Sequence, residues 1–494
     1  MKRNRKMILN SLSGVLQQIV AIACGFILPR LILQYYGSSV NGLVSSISHF
    51  LGFIAFLDMG VGPVVKTALY APLAQKDTAQ ISRIYIFAER FYRRVAVILL
   101  GYVLLLTVFY PFIVGDRFDR LFTASLIVII SVSSFAEYYI GAVSQLLISA
   151  DQKSYIWLWL QALLLIVNCV ACVILIRMGS SIQVVKLFSS VIFIVKPFVL
   201  HLYVKRKYVL DHSVALDEEP IKQKWNAFAQ HIAAVVSSET DVLLLTFFST
   251  MEAVSVYSVY YMVVGGITNL LMSAATGLES YFGNMLVQEK QERIIRSFST
   301  IESVCHAFAT AVFSITAVTI VPFIAVYTHG ISDTDYLMPG FGLLLSCAYW
   351  VQCLRIPYFR IIKAAGHYKE TQNGAFVSLG INLVVSLCLV IRCGVIGVAI
   401  GTLLAMLFHT VYFAWYLRRN ILSRRFAHFL THFAVDLLSF VLIYLFTMQI
   451  ACESCSYWAW ICYAIRVSLI AAATVGLLNA PFFLKKWWSF GREE

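Results

Sequence analysis

The chain has 494 residues, of which 60% are apolar and only 13% charged, roughly half the charge share of a soluble globular domain. That composition excludes a soluble enzyme: roughly 300 apolar residues would fill fourteen membrane spans of about 20 residues each. The formal charge of +13 does not point to nucleic acid, because the basic residues lie in short clusters between apolar runs rather than on one soluble face.

Apolar runs of spanning length predict helices over 8–33, 41–65, 95–114, 122–150, 155–176, 183–204 and 226–248. Seven more follow over 254–286, 300–326, 337–363, 371–391, 396–417, 429–450 and 458–482. The fold class is therefore read as all-α and polytopic in a membrane. The basic start Lys2-Arg3-Asn4-Arg5-Lys6 has the look of a signal peptide, but the apolar run continues to Leu33 and argues against cleavage. Between the second and third spans, residues 72–94 place Ile81, Ile84, Tyr85 and Ala88 at helical spacing among polar and basic neighbours. That pattern fits an interfacial helix, with a solvated loop as the alternative.

Lys and Arg resist translocation and favour the anionic inner leaflet. With the N-terminus inside, 29 of the 38 basic residues fall in inner segments, while the outer loops carry only Arg117, Arg120, Arg177 and Arg392. This bias predicts a multi-pass protein with both termini cytoplasmic. There is no GxxxxGK[ST] run, no HExxH pair and no loop longer than about thirty residues that could house an ATPase domain. No cofactor and no metal site are predicted, and any energy for transport must come from an ion gradient or the substrate's own. Cys24, Cys169, Cys305, Cys347 and Cys388 lie inside apolar runs as small hydrophobes, and Cys452-Glu453-Ser454-Cys455 has no second ligand pair.

A displacement of 213 residues brings Ile81, Arg83, Tyr85 and Glu89 onto Ile294, Arg296, Phe298 and Glu302. The same displacement sets Tyr203-Val204-Lys205-Arg206 on Tyr416-Leu417-Arg418-Arg419, and Ala150-Asp151-Gln152-Lys153 falls near Ala365-Gly366-His367-Tyr368-Lys369. These matches predict an N-terminal lobe over 1–208, a C-terminal lobe over 209–421, and two added helices with a cytoplasmic tail over 422–494. Both lobes enter from the cytoplasm, so the repeat is parallel, an arrangement that places substrate between lobes in alternating-access transporters.

Ionisable groups inside the hydrocarbon are costly and raise a question of function. Lys196 precedes Pro197, Arg30 follows Pro29, and Arg355 lies near Pro357, so three cations beside three prolines are candidates to bind a diphosphate. The competing reading is that each cation snorkels or pairs with a carboxylate. The acidic set, Asp58, Glu137, Glu239, Asp241, Glu279 and Asp436, leaves the membrane charge nearly balanced. Glu239 and Asp241, two residues apart in the seventh span, are candidates for proton or sodium coupling, with ion pairing as the alternative. Asp58, Gly60 and Gly62 in Leu57-Asp58-Met59-Gly60-Val61-Gly62-Pro63 read as a hinge, while His49 and His409 read as packing or hydrogen-bonding groups. Tyr138, Tyr139, Tyr257, Tyr260 and Tyr261 could stack on sugar rings, or anchor at the interface as many membrane tyrosines do.

Several segments resemble the Wzx-type polysaccharide flippases of the multidrug/oligosaccharidyl-lipid/polysaccharide exporter superfamily. They are Pro29-Arg30 with Tyr36-Gly37 and Asn41-Gly42-Leu43; Leu57 to Gly62; Ala150-Asp151-Gln152-Lys153-Ser154-Tyr155; and Ile221-Lys222-Gln223-Lys224-Trp225-Asn226. Val254 to Tyr261, Gly283-Asn284-Met285-Leu286 and Lys363-Ala364-Ala365-Gly366-His367-Tyr368 extend the resemblance over nearly the whole chain. It implies movement of an undecaprenyl-diphosphate-linked oligosaccharide repeat unit from the inner to the outer leaflet of the bacterial cytoplasmic membrane, for capsule, exopolysaccharide or O-antigen assembly. It also implies a cavity between two six-helix lobes, a groove for the lipid tail at the last two helices, and polysaccharide polymerase and assembly proteins as partners. Arg30 is the candidate diphosphate ligand that falls within a matching motif.

Two other functions compete. An ion-coupled drug or cation antiporter of the same fold would use Glu239 and Asp241 directly. A membrane polysaccharide polymerase or ligase would need catalytic groups in its outer loops, which hold little beyond Asp116, Asp119, Asp333 and Asp335. The expectation is thus a flippase rather than an enzyme.

Overall fold

The computed structural model describes residues 2–58, 61–211, 228–450, 452 and 454–490. Gly60 and the 221–226 segment lie outside the described residues, and Asp58 is described in its backbone alone. The chain divides into two compact units, Met1–Phe247 and Phe248–Glu494.

In unit 1, α1 (Lys2–Gly52) leads through a 3-10 segment (Phe53–Asp58) to α2 (Val61–Gln75), α3 (Thr78–Val114) and α4 (Arg120–Ala136). A π-helical turn (Glu137–Gly141) joins α4 to α5 (Ala142–Ala150), and α6 (Tyr155–Arg177), α7 (Ile182–Lys207) and α8 (Phe228–Phe248) follow. Unit 2 contains α9 (Met251–Ala274), α10 (Thr276–Gln288), α11 (Gln291–Tyr327), α12 (Pro339–Leu354) and α13 (Ile356–Ala364). It ends with α14 (Tyr368–Asn420), α15 (Ala427–Thr447) and α16 (Tyr457–Phe490). Among the described residues, ten helical stretches are long and apolar enough to cross a membrane. Helices suit that solvent because they satisfy every backbone hydrogen bond internally.

Two of the longest stretches turn at glycine. Gly37 (φ 85°, ψ 170°) splits α1, and Gly394 (φ 53°, ψ −129°) splits α14. A Cβ would oppose the positive φ at both points, so the chain kinks there without a loop.

The 72–94 segment is neither a separate interfacial helix nor a loop. It enters α3, which runs unbroken for 37 residues from an Asp77 cap whose carboxylate accepts from the Gln80 amide at 2.9 Å. The apolar face identified by spacing, Ile81, Ile84, Tyr85 and Ala88, is buried against Val65 and Leu69 of α2, Leu147 of α5 and Leu200 and Val204 of α7. The polar neighbours are the outward face of that same helix.

The 213-residue displacement extends to whole elements. Helices α3 and α11 are both 37 residues long and differ by 213 at each end. Helix α6 and the start of α14 differ by the same number. Each unit also builds an equivalent core. Ile294 and Phe298 of α11, the counterparts of Ile81 and Tyr85, pack against Met285 of α10, Ile361 of α13 and Leu417 of α14. The turns that follow α5 and α13 close alike: Lys153 N–H donates to the Ile148 carbonyl and His367 N–H to that of Ile362, around Gln152 (φ 57°) and Gly366 (φ 77°). In the first turn the Tyr208 hydroxyl and Lys153 ammonium both meet Asp151 at 2.6 Å. Burial, helped by that carboxylate, pushes the Tyr208 phenol up from its ordinary value.

Unit 2 adds a buried ionic network. Arg424, between α14 and α15, grips both oxygens of Glu302 at 2.5 Å. The Tyr358 hydroxyl donates to Glu302 and lies 3.2 Å from His306 Nε2, while His306 Nδ1 is 2.6 Å from Asp436. Glu302, His306, Tyr358 and Asp436 are essentially sealed from solvent, so this network rivets α15 to α11 and α13. Arg424→Ala, which strands a buried carboxylate, is expected to cost about 3–5 kcal/mol and to lower the thermal midpoint in detergent sharply. Arg93→Ala removes the exposed partner of Glu89, the residue equivalent to Glu302, and should shift the same melt by less than about 1 kcal/mol.

Candidate functional site

Within unit 1, the π-helical turn widens the helix by one residue at Glu137–Gly141 and turns Glu137 toward α7. Its Oε1 accepts from Lys196 Nζ at 3.1 Å, and the ammonium lies 5.9 Å from the Trp157 ring. Pro197 packs directly on Gly141, where an added Cβ would meet the proline Cβ at 2.6 Å. The Lys196-Pro197 pair found in the sequence is therefore seated by a glycine and a carboxylate on the opposing helix.

Beside this pair is a cavity of about 570 Å³ lined by Gly62, Lys66, Tyr92, Glu137, Tyr138 and Gln145 among others. A second hollow of about 280 Å³ shares Ser134 and Tyr138 with it and extends past Ser48 and Gly52. Tyr138 thus lines both, with its ring 6.4 Å from that of Tyr92 and nearly parallel to it. Tyr139 points elsewhere: it is 40% exposed, stacked on Phe135, with the Arg93 guanidinium 5.3 Å from its ring.

Also in unit 1, His49 Nδ1 of α1 lies 2.5 Å from Glu239 Oε2 of α8. Ser46 and Thr246 share a hydrogen bond at 2.6 Å nearby, and Phe50 meets Phe247 edge-on at 5.9 Å. Asp241 is buried on α8, so the two acidic residues of this helix have different surroundings, as their two-residue spacing requires. A histidine–carboxylate pair can hold or release a proton at a defined place. Arg30 is half-buried on α1.

In unit 2, Arg355 occupies the joint at which α12 stops and α13 begins, because Pro357 has no amide to continue the α12 ladder and suits a first helical turn. Its guanidinium touches the Met406 thioether at 3.9 Å and the Phe413 ring at 5.9 Å. Among the described residues it has no carboxylate partner. Two polar atoms on the adjoining helices, Gln352 Oε1 and His409 Nε2, are buried without a hydrogen-bond partner. Glu279, by contrast, is engaged by Arg360 at 3.4 Å.

The three tyrosines of α9 occupy different settings. Tyr260 is wholly buried and its hydroxyl donates to the Tyr336 carbonyl at 2.9 Å, which leaves it no face for a sugar. Tyr257 is also buried, stacked on Tyr261 at 5.9 Å and against Phe341. Tyr261 is half-buried and packs on Tyr349. Gly62 is buried in the first turn of α2 beside the larger cavity.

Sequence reading passed over Lys66 and Gln145. Lys66 falls just beyond the predicted 41–65 span, although it lies one turn inside α2, and Gln145 lies within an apolar run. Gly141→Ala is expected to force α5 and α7 apart and to cost about 1–3 kcal/mol of stability. Gly101→Ala, in open space, should leave the melting temperature level or slightly higher, so a paired melt of the two variants checks the packing.

Neither the scan of protein-family models nor the search of curated proteins finds a match to this sequence. Solved structures do match. The lipid II flippase MurJ in an inward closed conformation superposes with a TM-score of 0.68 at 14% identity, over 96% of this chain and 100% of that one. An inward-facing multidrug resistance MATE family transporter of the MOP superfamily gives 0.62 at 13% identity, over 82% and 94% of the two chains. A eukaryotic MATE transporter gives 0.58 at 15% identity, over 85% and 96%. The chain therefore has the fold shared by the lipid II flippase MurJ and the MATE transporters, an all-α, two-lobed membrane architecture.

Proposed function

We propose that the protein is a flippase of the Wzx type. It moves an undecaprenyl-diphosphate-linked oligosaccharide from the inner to the outer leaflet of the bacterial cytoplasmic membrane by alternating access, without ATP hydrolysis. In this reading the lobes are the parallel repeats 1–208 and 209–421, with 422–494 added behind them. Fourteen spans cross the bilayer, both termini are cytoplasmic, and a polysaccharide polymerase takes the product.

One observation carries the reading: Arg355 is held at a helix joint with no carboxylate partner among the described residues, against the Met406 sulfur and the Phe413 ring, with Cys353 and His409 close by. A guanidinium in such a place needs an anion, and a diphosphate offers the bidentate oxygens that suit it. Arg30 and Lys196 are the further candidate ligands. Lys196 would share its charge between Glu137 and the phosphate, so substrate would loosen the α7–π-turn contact. Tyr138 at the cavity wall would meet the sugars. The His49–Glu239 pair and Asp241 would store a proton or bind sodium and couple the cycle to a gradient, with the Asp58, Gly60 and Gly62 segment bending as the lobes exchange. This is transport of an intact lipid, and no bond is made or broken.

The test is leaflet translocation in proteoliposomes with a labelled undecaprenyl-diphosphate oligosaccharide and an impermeant probe. Protein-dependent exposure is expected, and Arg355→Ala together with Lys196→Ala should lower the rate at least about tenfold, equivalent to ~1.4 kcal/mol of lost substrate stabilisation, with a cooperative melt retained and a rate loss larger than that of Glu137→Gln, which removes the same ion pair. Full activity in that double variant would refute the assignment of these cations. Glu239→Gln should abolish the response to an imposed proton or sodium gradient while leaving basal exchange. The His49–Glu239 pair also suits a cation antiporter. Gradient-driven cation efflux with no lipid exposure would establish that reading instead.

A further inference from the structure

The larger cavity of unit 1 carries more than the proposed flippase needs from a generic wall. Three of its lining groups have unused bonding capacity. Lys66, half-buried on α2, makes no hydrogen bond or ion pair among the described residues. Gln145 Oε1 is buried and accepts nothing. Glu137 spends Oε1 on Lys196 and retains a second oxygen. Against these stand the half-buried ring of Tyr138, backed by the buried, near-parallel ring of Tyr92, and Ser149, whose hydroxyl is already occupied by Trp157 Nε1 at 3.1 Å.

Each group states what it lacks. An amide oxygen and a carboxylate oxygen are acceptors and ask for hydroxyl donors. An aromatic wall asks for the C–H face of a ring. A cation without a counterion asks for a negative group, and one of compact charge, since an ammonium is a point charge rather than a planar fork. A polyhydroxylated ring bearing an anionic substituent supplies all three, and a volume of about 570 Å³ falls in the range of small-ligand pockets.

We infer that this cavity is a seat for an acidic saccharide, its hydroxyls donating to Gln145 Oε1 and Glu137 and its anionic substituent resting on Lys66. The inference rests on the flippase reading and narrows it: the transported head group carries negative charge of its own or presents the sugar next to the phosphate. Lys66 selects the anionic head, and Gln145 positions the ring.

The test uses the full chain in lipid nanodiscs and saturation-transfer NMR with glucuronate, glucose 1-phosphate, glucose and inorganic phosphate. Glucuronate or glucose 1-phosphate should bind about tenfold or more tightly than glucose, a difference on the scale of one charge-assisted contact. Whichever of the two binds tighter identifies the anion as a ring carboxylate or as the phosphate. Lys66→Gln should bring charged and neutral sugars level, and Lys66→Arg should restore the preference. Gln145→Leu should weaken the sugars together without changing inorganic phosphate. Melting temperatures matching the native chain certify each variant.

A preference for the acidic sugar that survives Lys66→Gln overturns the proposal. So does inorganic phosphate binding as tightly as glucose 1-phosphate, or no sugar binding at all. These failures stand apart from failure of the flippase reading. If wild type translocates lipid-linked oligosaccharide while Lys66→Gln treats acidic and neutral head groups as wild type does, the seat is wrong and the flippase stands. If no lipid moves but Lys66-dependent sugar binding persists, the flippase is wrong and the seat stands.

Discussion

A charge in hydrocarbon must find a partner, and that constraint organises this molecule. The bilayer offers neither water nor counterions, so an uncompensated ion costs several kcal/mol. Glu302 answers with Arg424 and Tyr358, His306 with Asp436, Glu137 with Lys196, Glu239 with His49, and Glu279 with Arg360. Each pair ties two helices together and so doubles as a fastening. Against this background the exceptions are informative. Arg355 at a helix joint and Lys66 beside a cavity, like Lys186 in α7, have no carboxylate partner among the described residues, and for the first two the proposed substrate supplies the anion.

The two units start from one plan and diverge through these charges. Helices α3 and α11 agree in length and position within the repeat, and the apolar clusters beneath them use corresponding residues. The polar choices do not agree. Glu89 is half-buried and pairs with the exposed Arg93, whereas Glu302 is sealed inside the unit 2 network. Where unit 1 has the Glu137–Lys196 pair, the same displacement in unit 2 falls on Trp350 and His409. Trp350 donates to the Thr310 hydroxyl at 3.0 Å and stacks on Phe433 of α15. Unit 2 thus has an aromatic platform for α15 at the position where unit 1 has an ion pair beside its cavity. Backbone geometry persists through such divergence because apolar packing depends on volume and period, while a single substitution changes a charge.

The local devices that seat these charges are modest in size. A π-helical turn shifts the register of Glu137, a glycine admits Pro197, and a proline starts a helix after Arg355. Each interrupts a regular ladder where a charged side chain must leave the helix surface. They also supply joints that permit one segment to move against the next without exposing backbone groups to lipid.

The sequence alone determined that the chain is a polytopic helical protein, because an apolar fraction of 60% has no other stable solution. It marked the apolar helical stretches and the 213-residue repeat, since membrane helices carry their own hydrogen bonds. The fourteen expected spans nevertheless stand against ten helical stretches of spanning length among the described residues, because neighbouring apolar runs are joined end to end in single long helices. It also named Lys196, Arg355 and Glu239, which stand out in any apolar run. Tertiary structure alone decided their partners: Lys196 faces Glu137, fifty-nine residues away, and Glu239 faces His49, 190 residues away. It alone merged residues 78–94 into the span that follows, removed Tyr260 to the interior, and brought Lys66 and Gln145 to one cavity. Those outcomes depend on which face of each helix meets which neighbour, and a rotation of one residue, about 100°, exchanges a lipid-facing side chain for one that lines a site.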